Sequence, residues 1–384
     1  MNSLNLILVV GISGIVLLIA NTIGKAVKLP VTLFYIFAGI LVSFFIDIEK
    51  ISEPIFQFGL IILFFYIGMD FNIEKVIKSS KKIYKTGLID IFFNFFVIFG
   101  ILILLDYNFQ NSFGIAGITF ASSSAITTKI IIDKRRIANP ETDLILSLMV
   151  FEDIFAPILL AVITGFSTNS DPTIFNFLTI LLKIAAAFGV IILISKLFAK
   201  KIGNFISLYI SDEIVVIFVL SGMLLFAGLT YHLHLSEALG SFLFGIFIAE
   251  TGKSFEFEKM LLPIRDFAIA LFFLTFGAVV ISKPFPDLSF ISTLLIIVIA
   301  SIIGKYLTGY FGGKLWGLSS RRSKLAGLSI ISRGEFSIAI LKTVPDVIYP
   351  LSAIYTLTLS VFGILFSTFA DKIIKKKRPV IEKK

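Results

Sequence analysis

The chain has no cysteine, and among its 384 residues it has only two histidines and one tryptophan. Without thiols there is no disulfide framework and no thiolate metal site, and the redox compartment leaves no mark on the sequence. The two histidines, His232 and His234, share one short loop and read as solvated residues. Soluble-enzyme signatures are missing too: there is no Walker A loop, no G-x-G-x-x-G opening a βαβ unit and no H-E-x-x-H. A T-V-G-Y-G selectivity filter is likewise absent. Charged residues make up only 15% of the chain.

What fills the sequence instead is apolar. Hydrophobic residues account for 57%, phenylalanine alone for 43 positions, and the mean hydropathy is +1.00. That is far too apolar for a soluble protein of this length and defines a polytopic, all-α membrane protein. The net charge of +9 would suggest nucleic acid in a soluble protein; here it belongs to loops beside a membrane, and no nucleic-acid partner is expected. The first apolar run has no basic residue before it and no small-residue cleavage site, so it reads as a retained helix.

Runs of about 17–25 apolar residues place thirteen candidate transmembrane spans at 4–20, 31–47, 54–70, 86–105, 112–132, 143–166, 174–199, 213–231, 235–251, 266–282, 288–311, 323–342 and 350–371. Threading the chain through them puts nearly every lysine and arginine on one side, including Lys25, Lys28, Lys75, Lys78, Lys81, Lys134 to Arg136, Lys196 to Lys201, Lys314, Arg321, Arg322 and a basic tail, 376–384. Lys50, Lys283 and Lys342 fall on the other. The positive-inside rule makes the rich side cytoplasmic, with the N-terminus outside and the C-terminus inside the cell membrane. The tail reads as a polybasic patch on anionic lipid.

The chain also repeats itself. Leu29, Leu33, Gly39 and Ile40 of span 2 recur as Leu235, Leu239, Gly245 and Ile246 of span 9, at a spacing of 206; Phe64 and Gly68 recur as Phe273 and Gly277, at 209. Ala116 to Ser122 of span 5 matches Ala326 to Ser332 of span 12, at 210. Each match joins span n to span n + 7, and an odd offset reverses orientation. The membrane domain, 1–375, therefore divides into inverted repeats, about 1–166 and 213–371, linked by a helix at 174–199. Alternating-access transporters are built this way, with their sites where discontinuous helices meet.

Spans 5 and 12 are the candidates for such breaks. Ser122 to Ser124 with Thr127 and Thr128 lie in one, Ser332-Arg333-Gly334-Glu335 in the other, and hydroxyls and glycine tolerate unwinding. Glu152 and Asp153 stand side by side near the middle of span 6, where one acid alone costs about 2.5–3.5 kcal/mol on insertion scales. Lys305 of span 11 lies within roughly one turn of their depth and is expected to pair with Glu152 or Asp153. Arg333 and Glu335 either neutralise each other or reach across. Asp90 and Glu250 read as interfacial residues near cytoplasmic ends, and Lys183 as a lysine snorkelling outward. Three acids against two bases leave one carboxylate over. Asp153 is the expected one, able to hold either a proton or a hard monovalent cation.

With these residues in view the chain resembles the second cation:proton antiporter family, the group of Kef-type potassium efflux proteins and bacterial sodium/proton antiporters. The resemblance is carried by Leu29-Pro30 with Gly39-Ile40, Leu63 to Met69, Phe151-Glu152-Asp153-Ile154, Ala238 to Phe242 through Ala249-Glu250, and Ser332 to Phe336. It implies a homodimer and a core domain moving like an elevator, with Na⁺ or K⁺ and H⁺ as cargo and no cofactor. Asp153 would be the cation or proton ligand, with Ser123, Thr127 and Thr128 beside it, and Lys305 would match the lysine that pairs with the first acid in electrogenic members. Glu152 departs from the family's usual Asp or Gln at that acid. The nucleotide-binding domain of Kef-type proteins does not follow, which leaves room for a separate cytoplasmic regulatory subunit. The rival reading is a gated, channel-like potassium efflux pathway not coupled to protons. An intramembrane aspartyl protease would need a second Asp at the depth of Asp153.

Overall fold

Backbone groups in lipid must be satisfied within their own segment, and a chain this apolar folds accordingly: among the described residues there are helices and no strand. The computed structural model describes residues 6–27, 29–45, 49–70, 81–168, 174–209, 212–280 and 289–374. Lys28, Lys75, Lys78, Lys283 and the tail 376–384 lie outside them.

In chain order the helices are α1 (Leu6–Val27), α2 (Val31–Ser43), α3 (Glu49–Asp70), α4 (Lys81–Leu104), α5 (Phe109–Asp133, interrupted) and α6 (Pro140–Thr168). There follow α7 (174–209), α8 (Asp212–His232), α9 (Glu237–Glu250) and α10 (Ser254–Val280). The last are α11 (Ser289–Leu315), α12 (Ser320–Ser329 and Glu335–Leu341) and α13 (Tyr349–Ile373). Several start at side-chain caps: Asn108 accepts from the Asn111 amide at 2.8 Å, Ser236 from Leu239 at 3.2 Å and Ser319 from Arg322 at 3.4 Å.

Among the described residues ten helices are long and apolar enough to cross a membrane; this is a multi-pass membrane protein. Three of the thirteen expected spans fall short of that standard. With 13 and 14 residues, α2 and α9 reach only about 20 Å of a hydrocarbon core about 30 Å thick, and α12 is broken. Helix α7 departs in the other direction. Its apolar run ends near 199, but the helix passes through a π-turn at Ser195–Ala199 into Lys200–Tyr209. Lys183 does point to the side away from the lysine-rich face, where its ammonium donates to the Leu233 carbonyl at 3.0 Å.

The helices form two bodies joined by α7. One packs α1, α2, α3, α8, α9 and α10 together, the other α4, α5, α6, α11, α12 and α13. In the first body glycine sets the crossings. A Cβ at Gly39 of α2 would land on the Leu274 carbonyl of α10, and one at Gly277 of α10 on the Ile36 carbonyl of α2. The same exchange joins α3 and α9, where Gly68 faces the Phe242 carbonyl and Gly245 the Phe65 carbonyl. Because backbone meets backbone, nothing can rotate aside. Gly245→Val is expected to cost at least the upper end of the ~1–3 kcal/mol typical of overpacking. Gly100→Val, at a position with nothing within 4 Å, serves as the control in thermal melts of the detergent-solubilised protein.

Candidate ion site at the crossing of two broken helices

Helix α5 stops at Phe120, and residues 121–123 run extended, with φ −81° and ψ 140° at Ala121; the second half starts at Ser124 with Ser123 as its cap, 3.3 Å from the Ile126 amide. Helix α12 breaks between Ser329 and Glu335. The two extended stretches cross and bond to each other: the Ser123 amide donates to the Ser332 carbonyl at 2.8 Å. Such breaks strand the carbonyls of the first half-helices, which must find donors. Ser122 Oγ donates to the Ile330 carbonyl at 2.8 Å, Ser337 Oγ to Ile118 at 2.7 Å and Arg333 Nη2 to Thr119 at 2.8 Å. Arg333 is fully buried, and it also donates to the Ile331 carbonyl and to the Tyr355 hydroxyl, at 3.0 and 3.3 Å. A cation at a helix C-terminus opposes the helix dipole.

The acids take the opposite ends. Glu335 opens the second half of α12 and accepts from Ser123 Oγ at 2.9 Å, Ser124 Oγ at 2.7 Å and the Ser124 amide at 3.2 Å. It thus sits at the N-termini of both second halves, where negative charge is favoured. Glu152 accepts from the Ser122 amide at 2.6 Å and Ser122 Oγ at 3.1 Å. Arg333 and Glu335 do not neutralise each other. Each reaches across to α5 instead, and together they bind the two breaks into one unit.

Of the two acids its depth allowed, Glu152 and Asp153, Lys305 pairs with Glu152, at 2.8 Å. The pairing is not exclusive: its ammonium also lies 2.9 and 3.0 Å from the two oxygens of Asp90 and 5.6 Å from the centre of the Phe120 ring. Asp90 is completely buried, so its reading as an interfacial acid was mistaken. The helix begins at Lys81, five residues before the apolar run, which carries Asp90 about 14 Å in from the end. A signal was present: Asn94 follows at i + 4 on the same face, and its amide donates to Asp90 Oδ1 at 2.9 Å and to Thr308 Oγ1 at 3.1 Å. A π-turn at Phe92–Phe96 holds it there.

Asp153, one residue beyond Glu152 on α6, has no ion-pair partner among the described residues, and its Oδ1 is buried without a hydrogen bond. The charged groups that act on it are all acids: Glu335, Glu152 and Asp70. Of the hydroxyls expected beside it, Ser123 is bound to Glu335. Thr127 is used in the crossing, 3.2 Å from the Ser329 carbonyl and 3.1 Å from Ser332 Oγ, and Thr128 is half-buried and makes none of these bonds. Nearer the lysine-rich face, a second buried network escaped the sequence reading. Glu141 accepts from Arg136 at 3.3 Å and from Arg322 at 3.0 Å, and Arg136 reaches Ser329 Oγ at 2.9 Å.

Two bodies of membrane helices, one carrying a crossing of broken helices with buried acids, define an ion-coupled transporter fold. The sodium proton antiporter MjNhaP1 of Methanocaldococcus jannaschii has the same fold, with a TM-score of 0.69 over 96% of this chain and 98% of that one, at 16% identity. Residues 14–374 match the family described as sodium/hydrogen exchanger, transmembrane, and the chain belongs to that family. Its relatives are transporters. The ammonium/H⁺ antiporter subunit AmhT of Alkalihalophilus pseudofirmus is 32% identical over 95% of this chain and 93% of its own length. The K⁺/H⁺ antiporter subunit KhtU of Bacillus subtilis is 32% identical over 96% and 94%.

Proposed function

We propose that the chain is a secondary-active antiporter exchanging a monovalent cation for H⁺ by alternating access, with the Asp153 carboxyl holding the two in turn. The observation that carries this reading is the Asp153 carboxyl itself: on a half-buried residue, its Oδ1 buried without a hydrogen bond, with no ion-pair partner among the described residues and with acids as its charged neighbours. Burying an unpaired carboxylate is costly, and a proton or a small cation relieves that cost equally well. Competition for one group is the minimum that couples two fluxes. Glu152 and Lys305 hold the neighbouring charge balance, while Ser123, Glu335, Thr127, Ser332 and Arg333 keep the crossing rigid.

The body containing α4, α5, α6, α11, α12 and α13 is the one that moves, elevator-fashion, against the glycine-packed body, which suits a dimer contact. Support for inverted repeats comes from the glycine crossings, because exchanging α2 with α9 and α3 with α10 turns one crossing into the other. Each repeat then gives three helices to each body. The lysine-rich face is cytoplasmic by the positive-inside rule. The cargo is K⁺, Na⁺ or NH₄⁺, the relatives' names favouring the first and last. Those names also include the word subunit, which suits a separate regulatory partner.

The test uses proteoliposomes loaded with a pH-gradient dye and challenged with Na⁺, K⁺, Li⁺, NH₄⁺ and choline, with protein-free vesicles as reference for NH₃ leakage. At least one small cation is expected to dissipate the gradient and choline is not. Cation flux with no movement of protons would instead establish the gated efflux pathway.

A further inference from the structure

At the lysine-poor face one ion pair ties the two bodies together. Lys342, at the end of the second half of α12, puts its ammonium 2.7 Å from Glu53 Oε2 of α3 and 4.8 Å from the centre of the Phe56 ring, one turn along. The Gln57 amide reaches the other oxygen of the same carboxylate at 3.4 Å. Every other ion pair among the described residues closes within one body. Both partners line a cavity of about 170 Å³ whose walls come from the two bodies: Leu60 of α3 and Glu237 of α9 from one, Leu160 of α6 and Ala339 of α12 from the other. Its inner end points toward the ion site. Leu160 stands two turns beyond Asp153 on α6, about 10 Å, and Ala339 one turn beyond Glu335. Between the cavity and the crossing stand Phe64, one turn deeper than Leu60, and Phe336. These two rings, both buried, meet edge to face with centres 5.4 Å apart.

We propose that Lys342 is a tethered cation that closes the mouth of the exchange path on this face: bound to Glu53 it latches the two bodies shut, and each cycle breaks and remakes that pair. The proposal rests on the exchange reading given above, in which one body moves against the other. A direct contact between groups on different bodies does not survive such a movement. When Lys342 withdraws with its own body, Glu53 and Glu237 are left to line the opened mouth, and acids in a cleft concentrate cations. The latch is light enough to be used repeatedly. The Glu53 side chain is 53% exposed and that of Lys342 19%, and an ion pair this well solvated biases an equilibrium by up to about fivefold. The Phe56 ring adds to that hold. The closed form is favoured without being trapped.

Because the chain has no cysteine, introduced thiols report alone. The variant carrying both Glu53→Cys and Lys342→Cys is reconstituted in proteoliposomes and bridged with a short bis-methanethiosulfonate. Its exchange is expected to fall to the level of protein-free vesicles and to return when reductant removes the bridge, while each single variant exchanges with and without the reagent. In nanodiscs, where both faces meet the reagent, the Ala339→Cys thiol is expected to react with N-ethylmaleimide about two- to fivefold faster once Glu53→Gln is added, a change that removes the charge and keeps the size. Undiminished exchange with the bridge verified by mass, thiols that the reagent fails to bridge, or a labelling rate unmoved by Glu53→Gln would each overturn the latch. A wild type with no cation-driven pH change would instead refute the exchange reading beneath the proposal.

Discussion

Asp153→Asn is expected to reduce cation-driven dissipation of a pH gradient to the level of protein-free vesicles while leaving the protein folded. The amide has the shape of the carboxyl but neither takes up a proton nor presents negative charge to a cation. Both halves of the exchange are lost together. Stability should move the other way, because the half-buried wild-type acid encloses an Oδ1 without a hydrogen bond and has acids as its charged neighbours. Relieving it should raise the melting point, by a gain on the order of 1 kcal/mol. Loss of exchange without loss of stability separates a functional group from a structural one; a variant with full exchange would remove Asp153 from the mechanism.

Lys305→Ala is expected to have the largest effect on stability. Its removal leaves Asp90 and Glu152 buried a short distance apart, and breaking a buried pair on one side costs about 3–5 kcal/mol. The cost lies in the abandoned charges and not in the lost side chain. Lys305→Met combined with Asp90→Asn and Glu152→Gln should therefore recover most of the melting temperature, since all three charges leave together. If the single variant melts like wild type, Lys305 carries no such burden. If the triple variant stays as unstable as the single one, the loss comes from packing against Phe120.

Much of this architecture was legible because lipid imposes simple rules on sequence. Apolar runs marked helices, and glycines spaced 206 and 209 residues apart proved to be the points where backbones touch. Serines and a glycine at matching places marked the two breaks. That Lys305 would pair with Glu152 or Asp153 followed from depth along two helices, a one-dimensional quantity that residue counting supplies; the choice of Glu152 did not. Asp90 escaped because depth was counted from the edge of the apolar run, while the helix starts earlier, at Lys81. Arg136 and Glu141 escaped for a related reason: a charge beside a loop looks solvated until the neighbouring helices that cover it are in place.

The one-dimensional pattern by itself determined a helical membrane protein, the placing of its breaks and the presence of a surplus of buried acid, since each follows from hydropathy and the cost of charge in lipid. Only the tertiary structure decided which charged groups meet. Arg333 could have neutralised Glu335 next to it, yet it turns to the Thr119 carbonyl, and Lys305 gathers two carboxylates where one was expected. Ion pairing is settled by which helix faces meet within a few ångströms, and the order of residues along a chain does not encode those distances.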